Sequence, residues 1–442
     1  MVTFSFKKAS SEHAALVHRR PRSTCVFVPP SQLRFPPPFT PLPAPAGPMR
    51  PLQIQFFLSY AILGSLAPLL SVFLQEEKGL SPSRIGIALA LVSASNLISP
   101  TLMTLLADTR LQTRHILAMA YSSTALMLGI LLGPTNWTLT LVLMAGYGLS
   151  IVAMFPLQDG LYFSAAREAQ RAGKPVIEYP RVRIWGTVGF MIPSLLLYLW
   201  LQRSSDTHPA VIGAIFCAIL CVTWSLTRLP PVHPAAPTPG GRVPTLEAFR
   251  VLAQPGTRWL CIGIGLAVSC SATYHHFFPL YLRNTLHLDR QWIPLIINLG
   301  VIGEVLYTLA FPSLRQRIGE KGILLGGLGF MTLRMALLSW FPCLPVAILV
   351  QLGHGLEILA LFVLVPMLLD RLAGDHFRNS MQGAFSMFMG GSRLLGTLLA
   401  GHAIEHDILH ALGVAAIAGT AACLIVAFGF QGVAPAPHES HP

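Results

Sequence analysis

Glu357 and His354 lie one helical turn apart in VQLGHGLEILALFVLVPMLLD, residues 350–370, where nearly every other side chain is apolar. Residues three apart on a helix share a face, so an imidazole and a carboxylate would stand side by side there. Arg334 precedes them by 20 and 23 positions, also inside an apolar run. A carboxylate among apolar side chains keeps its proton, and one beside a guanidinium loses it. A Glu that alternates between those surroundings is a proton switch; a Glu fixed against the guanidinium is a static ion pair. Glu304 and Arg393 supply a second acid and a second guanidinium in similar settings. Glu304 is either a further proton or solute ligand or a fixed partner for Arg393.

Such groups are brought together by helices in lipid. The sequence is 53% hydrophobic and 11% charged, with a mean hydropathy of +0.60, whereas a soluble domain carries roughly 25% charged residues. A membrane helix needs about 20 mostly apolar residues. Runs of that kind fall near 52–74, 82–106, 115–133, 138–158, 183–201 and 210–228, then near 259–282, 292–312, 321–341, 345–369, 380–402 and 408–430. The expectation is an all-α polytopic membrane protein of twelve transmembrane helices in two six-helix bundles, residues 49–228 and 259–430. Residues 229–258 are too rich in Pro, Gly and charge to span and read as a cytoplasmic linker, with TLEAFRVL as a short surface helix. Sixteen Lys and Arg fall in alternate loops assigned to the inside and five in the others, which predicts both termini in the cytoplasm. Within residues 1–48, the Pro-rich RFPPPFTPLPAPAGP cannot form a helix. Residues 1–48 as a whole read as a disordered cytoplasmic tail or as sequence upstream of a true start at Met49. Residues 431–442 read as a second tail.

Depth follows from a rise of about 1.5 Å per residue. Arg334 stands 13 residues from the inner start of its span and Glu357 12 from the outer start of the next. That places them roughly 20 and 18 Å into a core about 30 Å thick, near the midplane, where they can meet. An ionisable group at that depth costs about 2.5–3.5 kcal/mol on insertion scales and therefore faces the interior with a partner.

Other polar residues in the spans are solute-binding candidates. Asn298 and Gln351 offer uncharged amides, suited to solute hydroxyls or to bonds between helices. Tyr274, His275 and His276, in TYHHFF, combine stacking surface with polar tips; as a metal site the His pair lacks further ligands at suitable spacing. The two halves repeat each other: GLSPSRIGIAL (79–89) and HLDRQWIPLII (287–297) open equivalent spans, with Ser81 and Asp289 as N-caps. The offset of 208 sets Asn96 opposite Glu304. Repeats of this kind imply a solute site between two bundles. Asp159 and Arg183 either close an inner gate as an ion pair or mark the membrane surface. Cys217 and Cys221, four apart, read as small-residue packing. So do WGTVGF and GGSRLLG, the latter lacking the strand and Lys of a phosphate loop.

In these features the chain resembles the major facilitator superfamily over residues 50–430. The superfamily's loop between spans two and three, roughly G-x-x-x-D-R-x-G-R-R, is similar to TLLADTRLQTR, which keeps Asp108, Arg110 and Arg114 but has Thr104 for the Gly and a displaced arginine. The resemblance implies a gating role for those three residues. YPRVRIWGTVGF (179–190) resembles the Y-x-R-x-R-x-W-G-S-x-G-F signature of phenylpropionate-permease-like and nucleoside-permease-like members. FFPLYL (277–282), LGVIGEVLY (299–307) and LGHGL (352–356) are similar to the same group. Arg334 followed by His354-x-x-Glu357 resembles instead the lactose-permease-type symporters, where these residues surround the proton-carrying carboxylate. Glu357 is where the chain departs from the phenylpropionate-like pattern.

The reading is a secondary transporter of a small polar or aromatic solute (sugar, nucleoside or aromatic acid) in a bacterial cytoplasmic membrane, coupled to protons through Glu357, His354, Arg334 and Glu304. The alternative is an uncoupled facilitator or a solute or drug exporter on the same fold. Partners are the solute, protons and lipid; no cofactor, metal or nucleic acid is expected, and the protein is expected to be a monomer. A lipid-linked transferase would need a catalytic loop or metal cluster, and the sequence has no HExxH, Asp-Asp pair or phosphate loop of that kind.

Overall fold

Proline and glycine punctuate the chain. Proline stands in the first turn of α1 (Arg50–Leu66), α3 (Pro82–Ala94), α8 (His208–Arg228), α9 (Pro255–Leu280) and α11 (Leu344–Leu349), where its missing N–H would have had no helical partner anyway. Between and after these come α2 (Leu70–Glu76), α4 (Thr113–Leu132), α5 (Trp137–Val152), α6 (Met154–Arg171), α7 (Tyr179–Leu201), α10 (Trp292–Trp340), α12 (His354–Ile358), α13 (Val365–His406) and α14 (Ile408–Gly429). The computed structural model describes residues 49–430 except 101, 104, 105, 107–110, 205 and 231–251, and omits side chains at 180, 255, 256 and 370–383. Both predicted tails, most of the predicted linker, Asp108 and Arg110 lie outside the described residues. Helix α9 begins at Pro255, four residues ahead of the predicted span.

Among the described residues, seven helices are long and apolar enough to cross a membrane. As one straight rod the 49 residues of α10 would reach about 74 Å. Gly319, at φ 69° and ψ 174°, breaks it, in a region of backbone space that residues with a Cβ avoid. The two arms fold back onto one segment: Gly303 lies against Gly355 and Gly327 against Ala360. A Cβ on Gly355 would overlap the Gly303 carbonyl, so the two backbones touch. Close approach by small residues is how helices associate in lipid, which offers no hydrophobic drive between them.

Helix α1 packs on α7 and α8, α4 on α5 and α8, α9 on α13 and α14, and α10 on α12 and α14. Contacts between the segments before and after residue 230 run through α3 with α13, α7 with α10 and α2 with α9. At the end that the charge count predicts to be external, Glu76 pairs with both Arg283 (2.8 Å) and Arg290 (2.5 Å), and Asn284 donates to Gln75 at 3.0 Å. Arg283 and Asn284 stand on a π-helical turn, Tyr281–Thr285, just after the internal Pro279. Glu405 accepts the Ser83 backbone N–H at 2.7 Å.

Two expected caps are corrected. Ser81 occupies the N-cap of α3, but its hydroxyl bonds no N–H of the first turn; the carboxylate of Glu405 reaches Ser83 instead. Helix α10 starts at Trp292 with Gln291 at its cap, so Asp289 stands before the helix and only its carbonyl takes part, accepting from Trp292 at 3.0 Å.

Gly355→Ala should lower the thermal unfolding midpoint of detergent-purified protein by an overpacking penalty of about 1–3 kcal/mol. An unchanged midpoint would show that α10 and α12 can separate freely.

Candidate functional site

Three elements converge on Glu357. Helix α9 presents Ser271, Tyr274 and His275 at positions i, i+3 and i+4 of one face, α10 contributes Arg334, and α12 carries His354 and Glu357. Arg334 and Glu357 are both 0% exposed, so neither charge has water as an alternative partner. Arg334 Nη2 donates to Glu357 Oε2, and its Nη1 donates to His354 Nδ1 at 3.0 Å. Its guanidinium carbon sits 3.6 Å from the centre of the Tyr274 ring. Because a guanidinium has no acceptor, the bond to His354 fixes that ring as neutral, with its proton on Nε2. His354 therefore orients Arg334 in this arrangement and holds no exchangeable proton on the nitrogen that faces it.

The second carboxylate oxygen, Oε1, accepts from Ser271 Oγ at 2.5 Å. Ser271 Oγ lies 3.1 Å from His275 Nδ1, which is also 2.8 Å from the Ser271 carbonyl. Tyr274 donates to Gln351 Oε1 at 2.7 Å, and Gln351 Nε2 donates to the Ala347 carbonyl at 3.0 Å. Gln351 is thus committed within the protein. Buried Asn298 donates to the Pro294 carbonyl at 3.0 Å and has a free Oδ1 among the described residues. Tyr274, Phe278 and Tyr281 stack in a column running away from Arg334 along α9, with centroids 4.6 and 6.0 Å apart.

The expected pairing of Glu304 with Arg393 is not present. Arg393 on α13 lies over the Phe362 ring at 5.4 Å, and among the described residues it has no ion pair. Glu304, half-buried, faces the charge of Arg183 instead. The reason is direction: α10 packs its Glu304 arm toward α7, away from α13. Arg183 and Asp159 also do not close on each other. Arg183 lies 4.3 Å above the Tyr60 ring, and Asp159 accepts from Tyr179 at 2.7 Å. Asn96, in a 3₁₀ turn at Ser95–Leu97, bonds the Ser93 carbonyl at 3.2 Å and packs against Gly390. His276 bonds Thr397 at 2.9 Å through Nδ1. Arg114 holds Gln112 at 2.9 Å at the start of α4.

Sequence reasoning missed a second buried network. Gln55 and Gln158 both donate to Tyr121 Oη (3.0 and 2.7 Å), Ser59 donates to Gln158 Oε1 (3.0 Å), and Ser225 reaches Gln55 Oε1 at 3.3 Å. All five residues are buried, and none is charged. Ser271 was also missed. Its only sequence signal is its position four before His275, and single hydroxyls are common in apolar helices.

The description MFS_1 like family matches the chain over residues 49–412. The nucleoside permease NupG of Escherichia coli strain K12 is 22% identical over 376 residues, covering 80% of this chain and 87% of the permease. The probable 3-phenylpropionic acid transporter of the same organism is 22% identical over 362 residues, covering 80% and 91%. The crystal structure of NupG superposes with a TM-score of 0.75 at 18% identity, covering 88% of this chain and all of the permease. A family match over most of the sequence, on a helical fold shared along the full length of a permease, makes this chain a member of the MFS_1 like family of the major facilitator superfamily, multi-pass membrane transporters rather than enzymes.

Proposed function

We propose that the protein is a proton-coupled symporter of a small polar or aromatic solute in a bacterial cytoplasmic membrane. Glu357 carries the proton, and twelve spans in two bundles, 49–228 and 259–430, alternate access around it with both termini inside. The observation that carries this reading is a fully buried carboxylate closed onto a fully buried guanidinium. Taking two ions out of water is expensive, and apolar residues of similar volume serve a static core as well or better. A pair whose separation changes with bundle motion gives the carboxylate two proton affinities, which is what coupling needs. Solute contact falls to Arg393 and Glu304, the latter beside Arg183 and Tyr60, and to the amides of Asn298, whose Oδ1 is without a partner among the described residues, and Asn96. The relatives' names, a nucleoside permease and a phenylpropionic acid transporter, favour a ring-bearing solute. The protein acts as a monomer with no cofactor.

Three measurements test the reading. De-energised cells overproducing the protein should alkalinise the medium when given one class among disaccharides, nucleosides and aromatic acids, and Glu357→Gln should abolish this. Uptake of a labelled solute without any pH change would establish the uncoupled facilitator instead. In thermal unfolding of purified protein, Arg334→Gln or Glu357→Gln alone should cost about 3–5 kcal/mol, and the double variant should regain most of that loss. Additive losses would separate the two residues energetically. Oxidising the double variant Gln75→Cys, Asn284→Cys should stop uptake by holding the predicted outer end shut, and a reductant should restore it. Uptake unaffected by the crosslink would rule out opening at that end.

A further inference from the structure

Glu357 is sealed from water, so a proton must reach it through the protein. One carboxylate oxygen is taken by Arg334, which has no acceptor atom and relays nothing. The other is taken by the Ser271 hydroxyl at 2.5 Å. A hydroxyl is both donor and acceptor, and this one lies 3.1 Å from His275 Nδ1. His275 is half-buried, whereas Glu357 is fully buried. The chain from Glu357 through Ser271 to His275 is therefore a hydrogen-bonded path from the sealed carboxylate to a titratable ring that is only partly buried. Among the described residues, the other charged or titratable groups near Glu357 do not offer one: Cys270, the residue before Ser271, feels its charge but has no hydrogen bond to it. His354 turns an acceptor nitrogen toward Arg334, Tyr274 spends its hydroxyl on Gln351, and Arg393 on α13 is a cation over Phe362.

We infer that Ser271 and His275 form the proton relay that loads and unloads Glu357. The inference rests on Glu357 being the proton carrier. A proton arriving at His275 Nε2 leaves the ring doubly protonated. The Nδ1 proton, held by the Ser271 carbonyl at 2.8 Å, swings to Ser271 Oγ as that hydroxyl passes its own proton to Glu357 Oε1. One proton has entered at Nε2 and one has been added to the carboxylate. The imidazole is left neutral with its proton on Nε2, and Ser271 is again a neutral hydroxyl, now donating to Nδ1. Run in reverse, the same steps restore the starting tautomer. Adding the proton removes the negative charge that holds Arg334, so the relay also times the release of the ion pair.

The test compares two modes of transport for the solute that gives alkalinisation. Net solute-driven proton uptake needs the relay; one-for-one solute exchange at fixed pH does not. Ser271→Ala and His275→Gln should each slow the initial alkalinisation rate at least 10-fold while leaving exchange within about twofold of wild type. Ser271→Thr, which keeps the hydroxyl, should recover most of the rate and serves if Ser271→Ala fails to fold. Wild-type alkalinisation in both Ser271→Ala and His275→Gln, with Glu357→Gln inactive, would overturn the relay alone. Equal losses of exchange and alkalinisation would assign Ser271 to helix packing and overturn it too. Alkalinisation that survives Glu357→Gln would instead remove the proton carrier on which the relay depends.

Discussion

The contact between Arg334 and Glu357 sets the terms for everything around it. Two opposite charges with no exposure to water must hold each other, and most of their remaining donors and acceptors are partnered as well, Arg334 Nε being without one among the described residues. That requirement explains why α9 turns Ser271 and Tyr274 inward, why His354 presents a neutral ring, and why α10 and α12 run with their backbones in contact at Gly303 and Gly355. A Cβ at that crossing would push the helices apart and lengthen a contact on which two buried charges depend. The glycines of LGVIGEVLY and LGHGL are thus tied to the ion pair above them.

The π-helical turn Leu359–Leu364 begins two residues after Glu357. Such turns interrupt the regular ladder and are found often at functional sites. Here the turn also carries Phe362 beneath Arg393, so the one stretch of irregular helix links the buried pair to the guanidinium that has no acidic partner among the described residues. A second π turn, Tyr281–Thr285 just after α9, carries Arg283 and Asn284 to Glu76 and Gln75. Irregular helix therefore stands both beside the central pair and at the contact between α2 and α9.

Much of this was legible in the sequence, and the boundary has a physical cause. The count of apolar runs gives the fold class, and rise per residue gives depth, which was enough to bring Arg334 and Glu357 together. Depth says nothing of azimuth, so it leaves a Glu304–Arg393 pair open as one of two readings, although α10 and α13 turn the two residues in different directions. Ser271 carries no charge and breaks no pattern, and only the geometry of α9 against α12 reveals it. Glu76, Arg283 and Arg290 were legible only as loop charges, since a charge tally does not say which loops touch. The Ser81 and Asp289 repeat pointed to equivalent spans, yet neither side chain caps its helix.

The network of Gln55, Ser59, Tyr121, Gln158 and Ser225 in the first half of the chain carries no net charge. Its counterpart in the second half is ionic, and a proton on Glu357 would leave Arg334 uncompensated. A membrane potential does work only on charge, about 2.3 kcal/mol per elementary charge for each 100 mV crossed. The five residues of the amide and tyrosine network carry no charge and so give voltage nothing to act on. Voltage has charge to act on elsewhere, in the buried pair of Arg334 and Glu357 and in Arg183, Asp159 and Glu304.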